Sequence, residues 1–326
     1  MLAAYLVAVN PFKALVEVEH FDGALFALAV AVNYVGLVFL ALSWHILLRA
    51  LGVDVSLRES VEATFAALFL VWLFPVPSGF ELVRAHLAQR AKGGTLGKAV
   101  SSVIISKVYY FLGFGALISL AFAKVSWFQR QQIPVDPRYI WFTVLYALAN
   151  TALFAVILKP QTFLGLHQRS PTWLRDQLEK RVYNKRYGLG GVQAFAAELD
   201  SSLRTLKSRP LVNLASLLLV SFHWATGAVT ANLVSRALGQ ALNLWHLVLV
   251  YAVVEFIQQL NILVPSGLGV VDATLTGALV MLGLPLGLAA SISLLTRLAT
   301  YWFELVLCGL VTLGLGYREL SGEVFS

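Results

Sequence analysis

The sequence predicts an all-α polytopic membrane protein. It is expected to have about seven spanning helices plus two short re-entrant or half-helices, in two repeated halves. Three observations carry this. Hydrophobic residues make up 59% of the 326 positions and charged residues 13%, where a soluble domain carries roughly a quarter charged residues. Several windows exceed the roughly 20 apolar residues needed to cross a hydrocarbon core of about 30 Å. A Pro-Ser-Gly break follows an apolar run at two places, Pro77 and Pro265.

Residues 1–20 read as an amphipathic piece or a truncated first span. They lack the basic start of a secretory signal, and Lys13, Glu17 and Glu19 follow at once. Spans are expected near 21–48, 58–76, 97–123, 139–158, 211–238, 245–264 and 286–316. Helices are expected because an open sheet edge is not tolerated in lipid, and the alternating ten-residue pattern of a membrane barrel is missing. The domain reading is a first membrane repeat with an extra span at 21–158, a basic amphipathic segment at 159–209, a second repeat at 210–317 and a tail at 318–326. Within 159–209, amphipathic helices are expected around Trp173–Tyr187 and from Val192 to Lys207, lying along the membrane surface.

The formal charge of +7 is concentrated in that segment, which holds ten Lys or Arg against Asp176, Glu179, Glu198 and Asp200. The positive-inside rule places it in the cytoplasm, with the chain in the cell membrane, and makes nucleic acid the weaker explanation of the charge. Anionic headgroups are a second candidate surface for it. The same count puts Arg84, Arg90, Lys92 and Lys98 inside, and Arg49, Arg58 and Arg236 on the opposite side.

The duplication is read from Pro77-Ser-Gly-Phe-Glu-Leu-Val-Arg-Ala85, which aligns with Pro265-Ser-Gly-Leu-Gly-Val-Val-Asp-Ala273. Each stretch follows an apolar span and precedes a span with a cation and aromatics: Lys107, Tyr109 and Tyr110 first, then Arg297, Tyr301 and Trp302. The span count makes the halves parallel; an inverted arrangement requires one short segment to cross. Proline and glycine break the helix, and broken backbone at membrane depth is tolerated only against protein or a polar cavity. Segments 78–92 and 266–282 therefore read as half-helices. Their N-termini, at Ser78-Gly79 and at Ser266, Gly267 and Gly269, would offer free N–H groups to a phosphate or carboxylate. The plainer alternative is a loop followed by an ordinary helix.

Among the charged residues, Ser78 and Glu81 have capping-box spacing, and Glu81 is equally a site candidate. Arg84 has no capping use there, and Asp272 suits the first turn of a half-helix. Arg297, Tyr301 and Glu304 fall on one face of the last span. Intramembrane charges are costly, about 2.5–3.5 kcal/mol for arginine or aspartate on insertion scales, and should face protein or water. Glu255, Gln258, Gln259 and Asn261 form a polar stripe leading to Pro265. The competing reading pairs Arg297 with Glu255 or Glu304 to fix helix packing. Lys107 is the first-half counterpart of Arg297.

Nothing points to an enzyme, a cofactor or a metal. The six histidines have no ligand spacing, and no P-loop, dinucleotide fingerprint or nucleophile elbow occurs. His45 and His223 lie within spans and read as packing residues. The single Cys308 permits no internal disulfide.

The stretch from Pro265 to Asp272, then Gly283-Leu-Pro285, then Leu295-Thr-Arg297 to Tyr301-Trp302, resembles the flippase-like membrane family related to the transmembrane domain of lysylphosphatidylglycerol synthases. Pro77 to Arg84 is similar, with glutamate and arginine three apart, and the likeness runs from about residue 21 to 316. Phe80 stands where that family usually has glycine, Asp272 where it has glutamate, and Ser106-Lys107 where it tends to carry glutamate and arginine. The resemblance implies the translocating half of such proteins, without the synthase. The expected function is that of a lipid flippase or translocator, engaging anionic phosphate headgroups through Arg297, Lys107 and Arg84. Glu255, Glu304 and the Gln258/Gln259 stripe would contact the rest of the headgroup or offset charge. Two other classes remain: a non-transporting subunit that supports a glycosyltransferase or lipid-modifying enzyme, and a secondary transporter of a small anionic solute. A second copy of the chain or such an enzyme is the candidate protein partner.

Overall fold

A computed structural model describes residues 21–73, 79–128, 192–260 and 267–320, with isolated positions between 138 and 176. Every regular element among them is a helix; the extended pairing is one bridge between Asp54 and Lys92. Ten α-helices are used below: α1 (Gly23–Ala50), α2 (Leu57–Leu73), α3 (Gly79–Arg90), α4 (Leu96–Ala123), α5 (Val192–Lys207), α6 (Pro210–Ala237), α7 (Leu244–Leu260), α8 (Val270–Met281), α9 (Leu286–Arg297) and α10 (Phe303–Leu320). A π-helical turn, Lys124–Phe128, extends α4, and another, Leu298–Trp302, joins α9 to α10.

Local chemistry fixes the helix starts. Asp22 Oδ1 accepts from the N–H groups of Ala24 and Leu25 at 2.9 and 3.0 Å, capping α1. Ser56 and Glu59 form a reciprocal capping box before α2: the Ser56 N–H donates to Glu59 Oε2 at 2.6 Å and the Glu59 N–H to Ser56 Oγ at 3.1 Å. Pro210, whose missing N–H is no loss in a first turn, opens α6.

Among the described residues, four helices are long and apolar enough to cross a bilayer: Gly23–Ala50, Leu96–Ser126, Pro210–Ala237 and Leu286–Gly316. Within the expected spans at 58–76 and 245–264 the described residues form the helices Leu57–Leu73 and Leu244–Leu260, and a 12-residue helix comes next in the chain after each. Twelve residues rise about 18 Å, well short of a hydrocarbon core of about 30 Å. The expected span at 139–158 and the amphipathic segment at 173–187 lie largely outside the described residues, as do residues 1–20.

The directions of the helices follow from their contacts. The α1 and α6 helices run antiparallel along their whole length. The Asp22 N–H donates to the Ala237 carbonyl at one end (2.9 Å) and the Ser43 hydroxyl to the Ser216 carbonyl near the other (3.0 Å). Between them, His223 Nδ1–H donates to the Gly36 carbonyl at 3.0 Å. Close approach requires glycine at position 36, where a Cβ would collide with Thr226. Helix α10 runs parallel to α1: Phe26 lies 6.4 Å from Phe303, Asn33 bonds Glu304, and Leu37 packs in one cluster with Cys308.

The loop from α1 to α2 meets the loop from α3 to α4, where the Asp54 N–H donates to the Lys92 carbonyl at 2.8 Å. The α2–α3 pair therefore enters and leaves on the face where α1 ends. By the same logic α7–α8 enters and leaves on the opposite face, because α6 ends, and α9 begins, where α1 begins. In this arrangement α1, the α2–α3 pair and α4 run in the opposite sense to α6, the α7–α8 pair and α9–α10. The parallel reading of the halves is thus not what the helix directions give.

The orientation reading is also corrected in one respect. Arg49 and Arg58 lie on the same face as Lys92 and Lys98, not opposite them, because α2–α3 turns back instead of crossing. Helix α5 sits at that face as well. Its buried side, Phe195, Ala196, Leu199 and Leu206, packs under α4 and α6, while Arg204 and Lys207 are exposed. Glu198 Oε2 accepts from the Gly97 N–H at 3.0 Å, so α5 caps the start of α4. Bare apolar stripes face outward on α6 (Leu211, Leu214, Leu218, Phe222) and α10 (Val306, Leu310, Leu313), as lipid contact requires.

Candidate functional site: an intramembrane charge cluster between two helical hairpins

Each hairpin places a carboxylate near the start of its return helix, against a cation on the long helix that follows. In the first half, Glu81 of α3 pairs with Lys107 of α4 at 2.7 Å. In the second, Asp272 of α8 pairs with Arg297 of α9, Oδ1 to Nε, at 3.5 Å. Asp272 thus stands at ion-pair distance from Arg297, and Glu255 and Glu304, the two partners the sequence offered, lie in its field. Asp272 serves a second purpose. Its Oδ2 accepts from the Gly269 N–H at 2.8 Å, closing the first turn of α8. Gly269 has φ +84° and Gly267 φ +62°, a left-handed backbone that side chains rarely adopt, so the chain turns into α8 through these two glycines.

The two halves meet at Glu255 of α7. Both Lys107 and Arg297, one cation from each half, act on its carboxylate. Helix α7 packs against α4 as well as α8, which is what carries Glu255 to Lys107. Glu304 lies deeper, at 4% exposure. It accepts from Asn33 Nδ2 at 2.5 Å, and Trp72, Arg297 and Glu255 lie within its electrostatic reach. Among the described residues neither Glu255 nor Glu304 has a cation within ion-pair distance.

Arg84 is the third buried cation, at 2% exposure. Its guanidinium lies 4.1 Å from the centre of the Trp44 ring and 4.9 Å from that of Phe80. Such aromatic faces hold a cation without using its N–H donors. The Nε and Nη2 groups have no acceptor among the described residues. Glu81 lies within electrostatic reach of Arg84.

The π turn at Leu298–Trp302 lies beside this cluster. A π turn leaves a carbonyl without its usual helical partner, and here Asn33 Nδ2 donates to the Ala299 carbonyl at 3.3 Å while also serving Glu304. The turn keeps Tyr301 under Arg297, guanidinium to ring centre 4.7 Å, and sets Trp72 edge-on to Tyr301 at 5.3 Å. The single helix face expected for Arg297, Tyr301 and Glu304 therefore contains an inserted π turn.

The structure brings together Glu81, Arg84 and Lys107 from the first half, and Glu255, Asp272, Arg297, Tyr301 and Glu304 from the second. Gly79 opens α3, and Gln258 lies half-buried on α7. Ser78, Ser266 and the Gln259 side chain fall outside the described residues. Sequence reasoning missed Asn33, Trp72, Trp44 and Tyr251. The signal for Asn33 was present, since an amide inside an apolar first span needs a partner. The role of Trp44 beneath Arg84 had no sequence signal, being a contact between distant helices. No group of three or more metal-ligating residues occurs among the described residues.

Comparison with known proteins places the chain among membrane proteins. The chain is 20% identical over 298 residues to a UPF0104 membrane protein of Pyrococcus horikoshii, covering 88% of this chain and 85% of that one. It is 21% and 22% identical to two UPF0104 membrane proteins of Methanothermobacter thermautotrophicus. Those matches cover 100% and 92% of this chain, and 92% and 88% of the relatives. Residues 1–308 match the family described as the lysylphosphatidylglycerol synthase TM region. The chain is an integral membrane protein and belongs to that family.

Proposed function

We propose that this protein moves a lipid with a phosphate-bearing headgroup between leaflets, its polar part passing through the charge cluster while its tails remain in the bilayer. The observation that carries the reading is the pair of intramembrane ion pairs, Glu81–Lys107 at 2.7 Å and Asp272–Arg297 at 3.5 Å, one at each hairpin, with α7 and its Glu255 packed against both α4 and α8. Charges at this depth cost several kcal/mol unless they serve each other or a ligand. The family match adds that the related synthases act on a phospholipid.

In this reading the two halves are an inverted duplication, the arrangement that lets a transporter open to either face around one site. A phosphate competes with Glu81 for Lys107, the more exposed of the two paired cations. Arg84 supplies the unpartnered N–H donors that suit a phosphate's oxygens. The face carrying Arg49, Arg58, Lys92, Lys98 and α5 is assigned to the cytoplasm by the positive-inside rule, and the membrane to the cell membrane. The chemistry is binding and release, with no bond made or broken.

The test is reconstitution into vesicles containing a fluorescently labelled phosphatidylglycerol, with a membrane-impermeant quencher reporting its arrival in the outer leaflet. Wild type is expected to equilibrate the probe, and Lys107→Ala to slow this at least tenfold while still eluting as a folded species. Absence of movement in wild type, together with co-purification of a lipid-modifying enzyme, sinks the reading in favour of a supporting subunit. Movement of a water-soluble anion in place of the lipid sinks it in favour of a solute transporter.

A further inference from the structure

We infer that lipid movement through this cluster is coupled to protons, with Glu255 and Glu304 as the groups that carry them, one proton per phosphodiester headgroup. This rests on the lipid reading above and adds the driving force.

The charge count is the first ground. Three buried or half-buried cations, Arg84, Lys107 and Arg297, stand with four carboxylates, Glu81, Asp272, Glu255 and Glu304. Two carboxylates are taken by ion pairs: Glu81 with Lys107 and Asp272 with Arg297. Glu255 and Glu304 interact with each other, and neither holds a cation within ion-pair distance among the described residues. Like-charged carboxylates sharing a buried site do not both ionise. One proton on this pair leaves the cluster neutral. A phosphodiester brings one further negative charge, and a second proton, on the other carboxylate, restores neutrality. Release on the far face frees both headgroup and proton, so the loaded and empty clusters carry the same charge.

The surroundings are the second ground. Around Glu304 stand Asn33 and Tyr34 of α1, Trp72 of α2, Tyr251 and Glu255 of α7, Arg297 of α9, and Cys308 one turn along α10. Around Glu255 stand Lys107 of α4, Arg297 of α9, Glu304 of α10 and Tyr251 on its own helix. Both cations acting on Glu255 are already engaged by other carboxylates. A headgroup that displaces Glu81 or Asp272 alters the field at Glu255 directly, which is the link coupling requires. The α1, α2, α7 and α10 helices all contribute groups to the pair, so movement of either hairpin changes its environment.

The experiment uses the same vesicles with either a pH gradient or a potassium–valinomycin potential imposed, and a trapped pH dye to follow protons. An acidic exterior is expected to drive labelled phosphatidylglycerol inward beyond equal distribution, with the dye reporting inward proton flow. The potential alone is expected to leave the distribution unchanged. The double variant Glu255→Gln with Glu304→Gln, neutral at both positions, is expected to lose both the gradient-driven bias and the proton signal, whereas Arg204→Ala on the exposed side of α5 keeps them. If wild type moves the probe but its final distribution ignores the pH gradient, the lipid reading stands and proton coupling is overturned. A distribution that follows the potential overturns the neutral one-to-one exchange. No probe movement under any condition overturns the lipid reading, and the coupling with it.

Discussion

The two hairpins carry the same kind of ion pair in different settings. Glu81 and Lys107 are in direct contact at 2.7 Å, yet their side chains stay 17% and 24% exposed. Asp272 and Arg297 are more distant, at 3.5 Å, and nearly sealed, at 2% and 7%. Asp272 is also bound to the backbone of its own helix start, through the Gly269 N–H. The difference separates two tasks. A sealed pair that is also a cap fixes the geometry of the return helix. A half-open pair can exchange one partner for a ligand at modest cost. The first half therefore supplies the exchangeable contact and the second the fixed one.

The largest expected effect breaks the fixed side. Asp272→Ala leaves Arg297 buried without its carboxylate and removes the acceptor for Gly269, a loss of about 3–5 kcal/mol on the pattern of broken buried pairs. Thermal unfolding in detergent checks it; an unchanged midpoint would show that Arg297 finds another acceptor. On the open side, Glu81→Ala is expected to cost about 1–3 kcal/mol, since a half-open pair is partly screened by water. The double exchange Glu81→Lys with Lys107→Glu restores opposite charges at the pair. It is expected to recover most of that stability while leaving lipid movement as slow as in Lys107→Ala. Recovery of movement as well would make the pair purely structural and erase the distinction between the halves.

How much of this could be read from the sequence varies by level. The apolar runs and the amphipathic α5 are local patterns, and the described helices fall on them. The sense of the halves was not legible. It depends on whether α2 crosses or turns back, and a 17-residue apolar helix fits either outcome until the meeting of Asp54 with Lys92 is seen. The error in placing Arg49 and Arg58 had the same source. At the site, charged residue types in apolar spans marked Lys107, Glu255, Arg297 and Glu304, because such residues are costly wherever they occur. Their pairing was missed: Asp272 reaches Arg297 only because α8 folds back along α9, a tertiary fact that helix periodicity does not contain. The π turn was equally hidden, since its support comes from Asn33, more than two hundred residues earlier in the chain.

A smaller effect sharpens the contrast at the backbone. The chain enters α8 through Gly269 at φ +84°, where any side chain carries a left-handed penalty of roughly 1–2 kcal/mol. Gly269→Ala is expected to lower stability by that amount and, by shifting the N–H that Asp272 accepts, to loosen the Asp272–Arg297 pair. Combining it with Asp272→Ala should then cost less than the two losses added, because one substitution has already removed what the other disturbs. Strict additivity in a double-mutant cycle would instead mean that the left-handed turn and the buried pair are independent. Asp272 would then cap the helix and hold Arg297 as two separate functions of one side chain.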